Sequence, residues 1–147
     1  MKPPLLLLIG VLMLAGCSSV SSQRDPTIRL DQFKRIFVEH RLTDRQGIDQ
    51  LVVQELRNLG YEASCGPLTM MPEKVDAILS YEDRWAWDFR TYLIELSLQL
   101  RAVDAPRTFA TARYFRPAIT SAATPAEMVH LTVARLFGSS SKIGDMW

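Results

Sequence analysis

The chain has 147 residues, a length that suits one domain around a single modest core. Its 17 basic and 16 acidic residues give a formal net charge of +1. This balance argues against nucleic acid or a strongly anionic surface as the partner.

The first residues predict a secretory signal peptide. Met1 and Lys2 supply a short positive start, and an unbroken apolar run, LLLLIGVLMLA, extends from Leu5 to Ala15. At about 1.5 Å per residue, a helix of that length covers only about half of a ~30 Å hydrocarbon core. The run is therefore too short for a comfortable membrane span, and residues 1–16 are predicted to be removed as a leader.

The sequence LAGC at residues 14–17 resembles a bacterial lipobox, the cleavage and lipid-attachment motif of lipoproteins. The resemblance implies a diacylglyceryl group on the Cys17 thiol, cleavage before Cys17 and acylation of the new amino group. Ser18 at the following position implies export to the inner leaflet of the outer membrane in a Gram-negative host. The alternative is an ordinary signal-peptide end with a chance cysteine.

Two polar segments flank the predicted domain. Residues 17–31 are Ser-rich without sustained periodicity, which predicts a lipidated flexible tether. Residues 138–147 contain GSSS and predict a flexible C-terminal tail. A single domain is therefore expected over residues 32–137.

The first half of that domain predicts a strand, a helix and a second short strand. Residues 33–42 are rich in β-branched and aromatic residues, and residues 45–59 carry one helical apolar stripe that ends at Gly60. The short run YEASC at residues 61–65 is a possible further strand. It contains Cys65, which is interpreted as a small buried residue or as one half of an intermolecular disulfide.

The second half predicts three consecutive strands and a helix. Alternating apolar residues mark residues 76–89 and 92–102, and a turn at DAPR leads to a strand over residues 108–115. The sequence TPAE from Thr124 is typical of a capped helix start. The prediction is an α/β fold, an α+β two-layer sandwich of order β-α-(β)-β-β-β-α. Its sheet has four or five mostly antiparallel strands, with two amphipathic helices on one face.

In size and element order this arrangement is similar to small outer-membrane assembly lipoproteins such as the lipopolysaccharide-transport component LptE, and to other small envelope lipoproteins of unknown function. The likeness is architectural, and a fold does not determine a function.

The sequence offers few candidates for catalysis. His40 and His130 are distant in sequence from Cys65, and Glu82 and Asp83 are strand neighbours that point to opposite faces. No metal-ligand cluster, nucleophile elbow or phosphate-binding loop is present in the sequence. We expect no enzymatic activity, no cofactor and no metal.

An aromatic strand provides the candidate binding surface. In a regular strand, one face would carry Tyr81, Trp85, Trp87 and Phe89, with Arg84 beside them. These aromatic residues either form the core beneath the helices or extend past it as an exposed patch.

The sequence therefore predicts a lipid-anchored periplasmic module without chemistry of its own. It would serve an envelope assembly or transport complex through a protein partner, at the inner leaflet of the outer membrane. The alternative is a ligand-binding lipoprotein whose aromatic face holds a glycan or a lipid.

Overall fold

A computed structural model describes residues 19–104, 106–116 and 123–138. Cys17, the predicted leader and all of the predicted tail except Gly138 lie outside these residues. The described chain forms six strands and two α-helices. In chain order these are β1 (Ser19–Arg24), β2 (Arg35–Glu39), α1 (Ile48–Asn58), β3 (Glu62–Gly66), β4 (Ala77–Asp88), β5 (Arg90–Arg101), β6 (Thr108–Phe115) and α2 (Pro125–Phe137).

The six strands form one mixed sheet in the order β1-β6-β5-β4-β2-β3. The pairs β1–β6, β6–β5 and β5–β4 are antiparallel, whereas β2 lies parallel to both β4 and β3. The predicted α+β class is confirmed, although the sheet has six strands instead of the four or five expected.

The local sequence favours a helix start after Asp44 and marks both ends of α2. Before α1, the Asp44 carboxylate accepts hydrogen bonds of 2.8 Å from the backbone N–H groups of Gln46 and Gly47. Thr124 and Glu127 form a reciprocal capping box at the start of α2. Gly138 ends α2 with a φ of 72°, a conformation that glycine adopts without steric cost.

The hydrophobic core lies between the helices and one face of the sheet. It joins alternate residues of the central strands with the apolar stripes of α1 and α2. Fully buried members include Val38, Leu79, Leu96, Leu98, Val52 and Val133. The opposite face of the central strands, called the open face below, carries mainly polar side chains.

The additional strand is β1, in a segment for which the sequence predicted a flexible tether. In the structure, Ser19–Arg24 pairs with β6 along its whole length. Val20 packs against the core, and the Arg24 guanidinium donates a 2.9 Å hydrogen bond to the Arg135 carbonyl of α2. As an edge strand, β1 leaves one side of its backbone unpaired. Pairing with β6 and the contact of Val20 with the core orient it. The tether prediction is wrong for these six residues.

A β-bulge moves the first residues of β5 to the face opposite the one that the alternation predicted. Arg84 is the register partner of Glu95, but Trp85 pairs with Leu93, so Ile94 is an extra residue. An extra residue reverses the alternation of side chains beyond it. Leu93 therefore joins the core, and Tyr92 does not share a face with Leu96 as the alternation predicted.

No helix among the described residues is long and apolar enough to cross a bilayer.

Candidate functional site

The β4–β5 hairpin extends beyond the rest of the sheet. Strand β2 pairs with β4 only along Ala77–Leu79, and pairing of β6 with β5 stops at Glu95. Residues 85–93 therefore pair only within the hairpin. The first of these pairs, Trp85 with Leu93, still packs against the core, and residues 86–92 project past the neighbouring strands.

Two large aromatic side chains are exposed at the end of this projection. The exposed fraction is 74% for Trp87 and 94% for Phe89, and their ring centroids are 6.2 Å apart. Phe89 occupies the turn with a φ of 56°, which is uncommon for a bulky residue. We call Trp87, Asp88, Phe89 and Arg90 the hairpin tip.

The structure separates the five residues predicted to form one binding surface. Tyr81 is buried in the core, and its hydroxyl donates a hydrogen bond to Asp44. Trp85 is half-buried against the core and donates from Nε1 to Asp83 at 2.5 Å. Trp87 and Phe89 are therefore exposed, whereas Tyr81 belongs to the core. The role of the two exposed rings as a binding surface stays a prediction.

Arg84, the fifth predicted residue, lies on the open face in a cluster of charges. Glu95 accepts a hydrogen bond from Arg113 at 2.5 Å and forms an ion pair with Arg84 at 2.8 Å. Both guanidinium groups also lie over the Phe115 ring, 5.9 and 5.4 Å from its centroid. The hydrogen bond from Arg113 and the two positive charges lower the pKa of Glu95, although its burial opposes them.

A polar groove of about 430 Å³ crosses this part of the sheet. Its charges are partly paired, since Arg41 contacts Asp83 at 3.4 Å. The sequence did not predict the groove because Arg41 comes from the segment after β2, far from the other residues in the chain. The lining residues are Arg41, Glu82, Asp83, Arg84, Glu95 and Ser97.

One cluster that the sequence did not predict lies between α1 and β3. His40 Nδ1 is 2.8 Å from Oδ2 of the buried Asp49, and Gln50 donates to Cys65 Sγ at 3.6 Å. Burial raises the pKa of the Cys65 thiol, and the nearby Asp49 carboxylate raises it further. A raised pKa disfavours the thiolate, which is the reactive form of cysteine.

The second candidate histidine, His130, lies away from the His40 cluster. His130 Nδ1 contacts Glu55 on α1 at 2.9 Å, so the second histidine is not part of the His40 cluster. Across residues 19–104, 106–116 and 123–138, no group of three His, Cys, Asp or Glu side chains is placed to hold a metal ion.

Comparison with known proteins finds solved structures with a similar fold. No family model matches the chain, and no curated protein matches its sequence.

Two solved structures of PelC from Paraburkholderia phytofirmans have a similar fold, and both are dodecamers. The first, a leucine-to-methionine variant, has a TM-score of 0.61 at 12% identity, covering 82% of this chain and 98% of that one. The second has a TM-score of 0.57 at 13% identity, covering 82% and 94%. A PDZ domain protein from Parabacteroides distasonis aligns with a TM-score of 0.47 at 11% identity, over 81% of this chain and 35% of its own. At these identities the likeness to PelC concerns the fold.

Proposed function

We propose that this protein is a lipid-anchored periplasmic lipoprotein. It acts as a non-catalytic interaction module of an envelope assembly or transport complex, at the inner leaflet of the outer membrane. The lipobox-like LAGC supports the anchor, and Ser18 after it supports the location. The exposed hairpin tip supports the role in interaction.

The observation that carries the proposed role is the exposure of Trp87 and Phe89 on a projecting hairpin. Large aromatic side chains are usually withdrawn from water, and tryptophan is enriched at binding hot spots. The core does not require either residue, since the buried cluster is closed by other side chains, including Leu93. An exposed aromatic pair at the end of a two-stranded hairpin favours a surface that a protein partner or the membrane covers in the assembled state.

The likeness to PelC adds a first partner to test. The two similar PelC structures are dodecamers, so chains with this fold are compatible with a large assembly of identical copies. A second copy of this chain is therefore included among the protein partners of the proposal.

The alternative function is ligand binding by the polar groove. Its volume of about 430 Å³ suits a small ligand, and it carries both carboxylates and guanidinium groups. Trp85 and Trp87 do not line this groove, so it lacks the aromatic platform that glycan stacking would use.

Photo-crosslinking in living cells tests the proposal. Probes at Trp87 on the hairpin tip and at the exposed Glu82 in the groove sample both surfaces, and a probe at Asp104 in the β5–β6 turn is the matched control. We expect Trp87 or Glu82, and not Asp104, to give one recurrent product with an envelope protein or a second copy. The same products from all three probes, or no protein product from any, would contradict the interaction role.

A further inference from the structure

We propose that the hairpin tip inserts its aromatic rings into the membrane interface in which Cys17 is anchored. This inference rests on the proposed lipid anchor. In it, Trp87 and Phe89 contact the surface of the bilayer. Protein partners of the module would then bind the open face.

Strand directions place the anchor and the tip at the same end of the sheet. Strand β4 runs toward the tip, and β5 runs away from it. Since β6 is antiparallel to β5 and β1 is antiparallel to β6, β1 also runs away from this end. The chain that precedes β1 therefore joins the sheet at the end from which the hairpin projects.

The strand register shows how near the anchor lies. Ser19 pairs with Phe115, Phe115 with Glu95, and Glu95 with Arg84, so these residues form one row across the sheet. Only Ser18 separates Cys17 from this row. Two residues span at most about 7 Å, so a lipidated Cys17 would hold this end of the domain against the bilayer.

The tip extends farther in the same direction than the anchor segment does. Asp88 lies four positions beyond Arg84, which corresponds to about 13 Å of strand at about 3.3 Å per residue. The hairpin therefore passes the furthest point that Cys17 can reach from Ser19. With the acyl chains in the membrane, the tip meets the bilayer before the rest of the described domain does.

The chemistry of the tip matches a lipid interface. Tryptophan concentrates at the headgroup level of membranes, and an apolar ring such as Phe89 gains by leaving water beside it. The adjacent Arg90 is exposed and supplies a cation for lipid phosphates, while Asp88 leaves the tip with no net charge. The opposite end of the sheet presents Asp104 and Arg107 at the β5–β6 turn. The aromatic pair at that end, Phe33 and Phe109, is half-buried and buried, respectively.

Spin labels on the full lipidated chain in vesicles test the proposal. The label is placed at residue 89 by Phe89→Cys in a Cys65→Ser background, and the matched control carries Asp104→Cys in the same background. Vesicles contain phosphatidylethanolamine and phosphatidylglycerol, and the label's accessibility to oxygen is compared with its accessibility to a water-soluble nickel chelate. We expect at least a threefold higher oxygen-to-nickel ratio at residue 89 than at residue 104. Equal ratios at the two positions would overturn the proposal.

A second measurement keeps both aromatic side chains at the tip. In a Trp85→Phe, Trp147→Phe background, Trp87 is the only tryptophan left. Lipids brominated near the headgroup should quench its fluorescence at least twofold, and unchanged fluorescence would contradict insertion.

The mass of the same sample separates the two proposals. If Cys17 carries its lipid and residue 89 remains in water, membrane insertion of the tip is wrong and the lipoprotein assignment stands. If Cys17 carries no lipid, the proposed anchor fails, and the insertion that depends on it fails as well.

Discussion

The Tyr81 hydroxyl donates a 2.7 Å hydrogen bond to Asp44 Oδ2, which joins the middle of β4 to the segment that starts α1. Burial raises the pKa of Asp44, but the bonds from Tyr81 and from the backbone N–H groups of Gln46, Asp49 and Gly47 outweigh it and lower the pKa overall. Burial and the same bond to Asp44 raise the pKa of Tyr81, so its hydroxyl stays protonated as a donor. Tyr81 therefore acts in folding, although its position in an aromatic strand suggested a role in binding.

The first prediction concerns this bond. Tyr81→Phe removes a donor to a carboxylate and should lower the free energy of unfolding by about 1.5–3 kcal/mol. Urea denaturation of the protein measures the change. Tyr114→Phe is the control: it removes a hydroxyl from another buried strand tyrosine and should cost less than about 1 kcal/mol. Equal losses for the two variants would show that the bond to Asp44 has no special role.

The second prediction concerns Asp76, the residue before β4. Hydrogen bonds from the backbone N–H groups of Arg35 and Lys34 lower the pKa of its carboxyl from 3.8 to about 2. A lowered folded-state pKa contributes stability that is complete above pH 4 and is lost as the pH falls toward 2.

Asp76→Asn tests that dependence. The variant should lower the free energy of unfolding by about 1–2 kcal/mol at neutral pH, after allowance for solvent screening of this partly exposed group. The difference from the wild type should shrink steadily between pH 4 and pH 2. A difference that is constant over that range would mean that ionisation of Asp76 does not stabilise the fold.

The third prediction distinguishes a strand from a tether at Ser19–Arg24. Because β1 pairs with β6 and is tied to α2 by Arg24, its bonded amides should exchange hydrogen roughly tenfold or more slowly than unstructured chain. Hydrogen exchange of the mature protein, followed by mass spectrometry of the N-terminal peptide, gives this rate. Exchange at the unstructured rate would restore the flexible tether and remove the close anchor on which membrane contact depends.

The fourth prediction separates exposed from buried apolar residues at the hairpin. Trp87→Ser and Phe89→Ser should each change the free energy of unfolding by less than about 1 kcal/mol, because water already surrounds both side chains. Leu96→Ala, at a fully buried position of the same hairpin, should cost about 2–5 kcal/mol. Chemical denaturation of the three variants checks the contrast. A large loss for either aromatic variant would show that the tip supports folding.

The sequence predicted those elements whose apolar pattern is strong. The apolar stripe over residues 45–59 corresponds to α1 (Ile48–Asn58). The strand predicted at residues 108–115 is β6, with the same bounds. The capping box at Thr124 is also present in the structure. These features depend on local contacts, which one stretch of sequence specifies.

The elements that the sequence missed depend on distant partners. Val20 is the only apolar residue of β1, so its strand character comes from pairing with β6, more than 80 residues later in the chain. The extra residue Ile94 reverses the side-chain alternation, and no glycine or proline beside it marks the bulge in the sequence. The exposure of the hairpin tip likewise follows from where β2 and β6 stop, which no pattern within β4 or β5 reveals.

The most direct test of the whole account is the mass of the mature protein purified from envelope membranes. We expect the mature chain to begin at Cys17 and to carry a diacylglyceryl group and an N-acyl chain, whereas Cys17→Ser should leave an uncleaved precursor without lipid. A wild-type protein that retains Met1, or a mature chain without lipid, would contradict the membrane anchor and the role built on it.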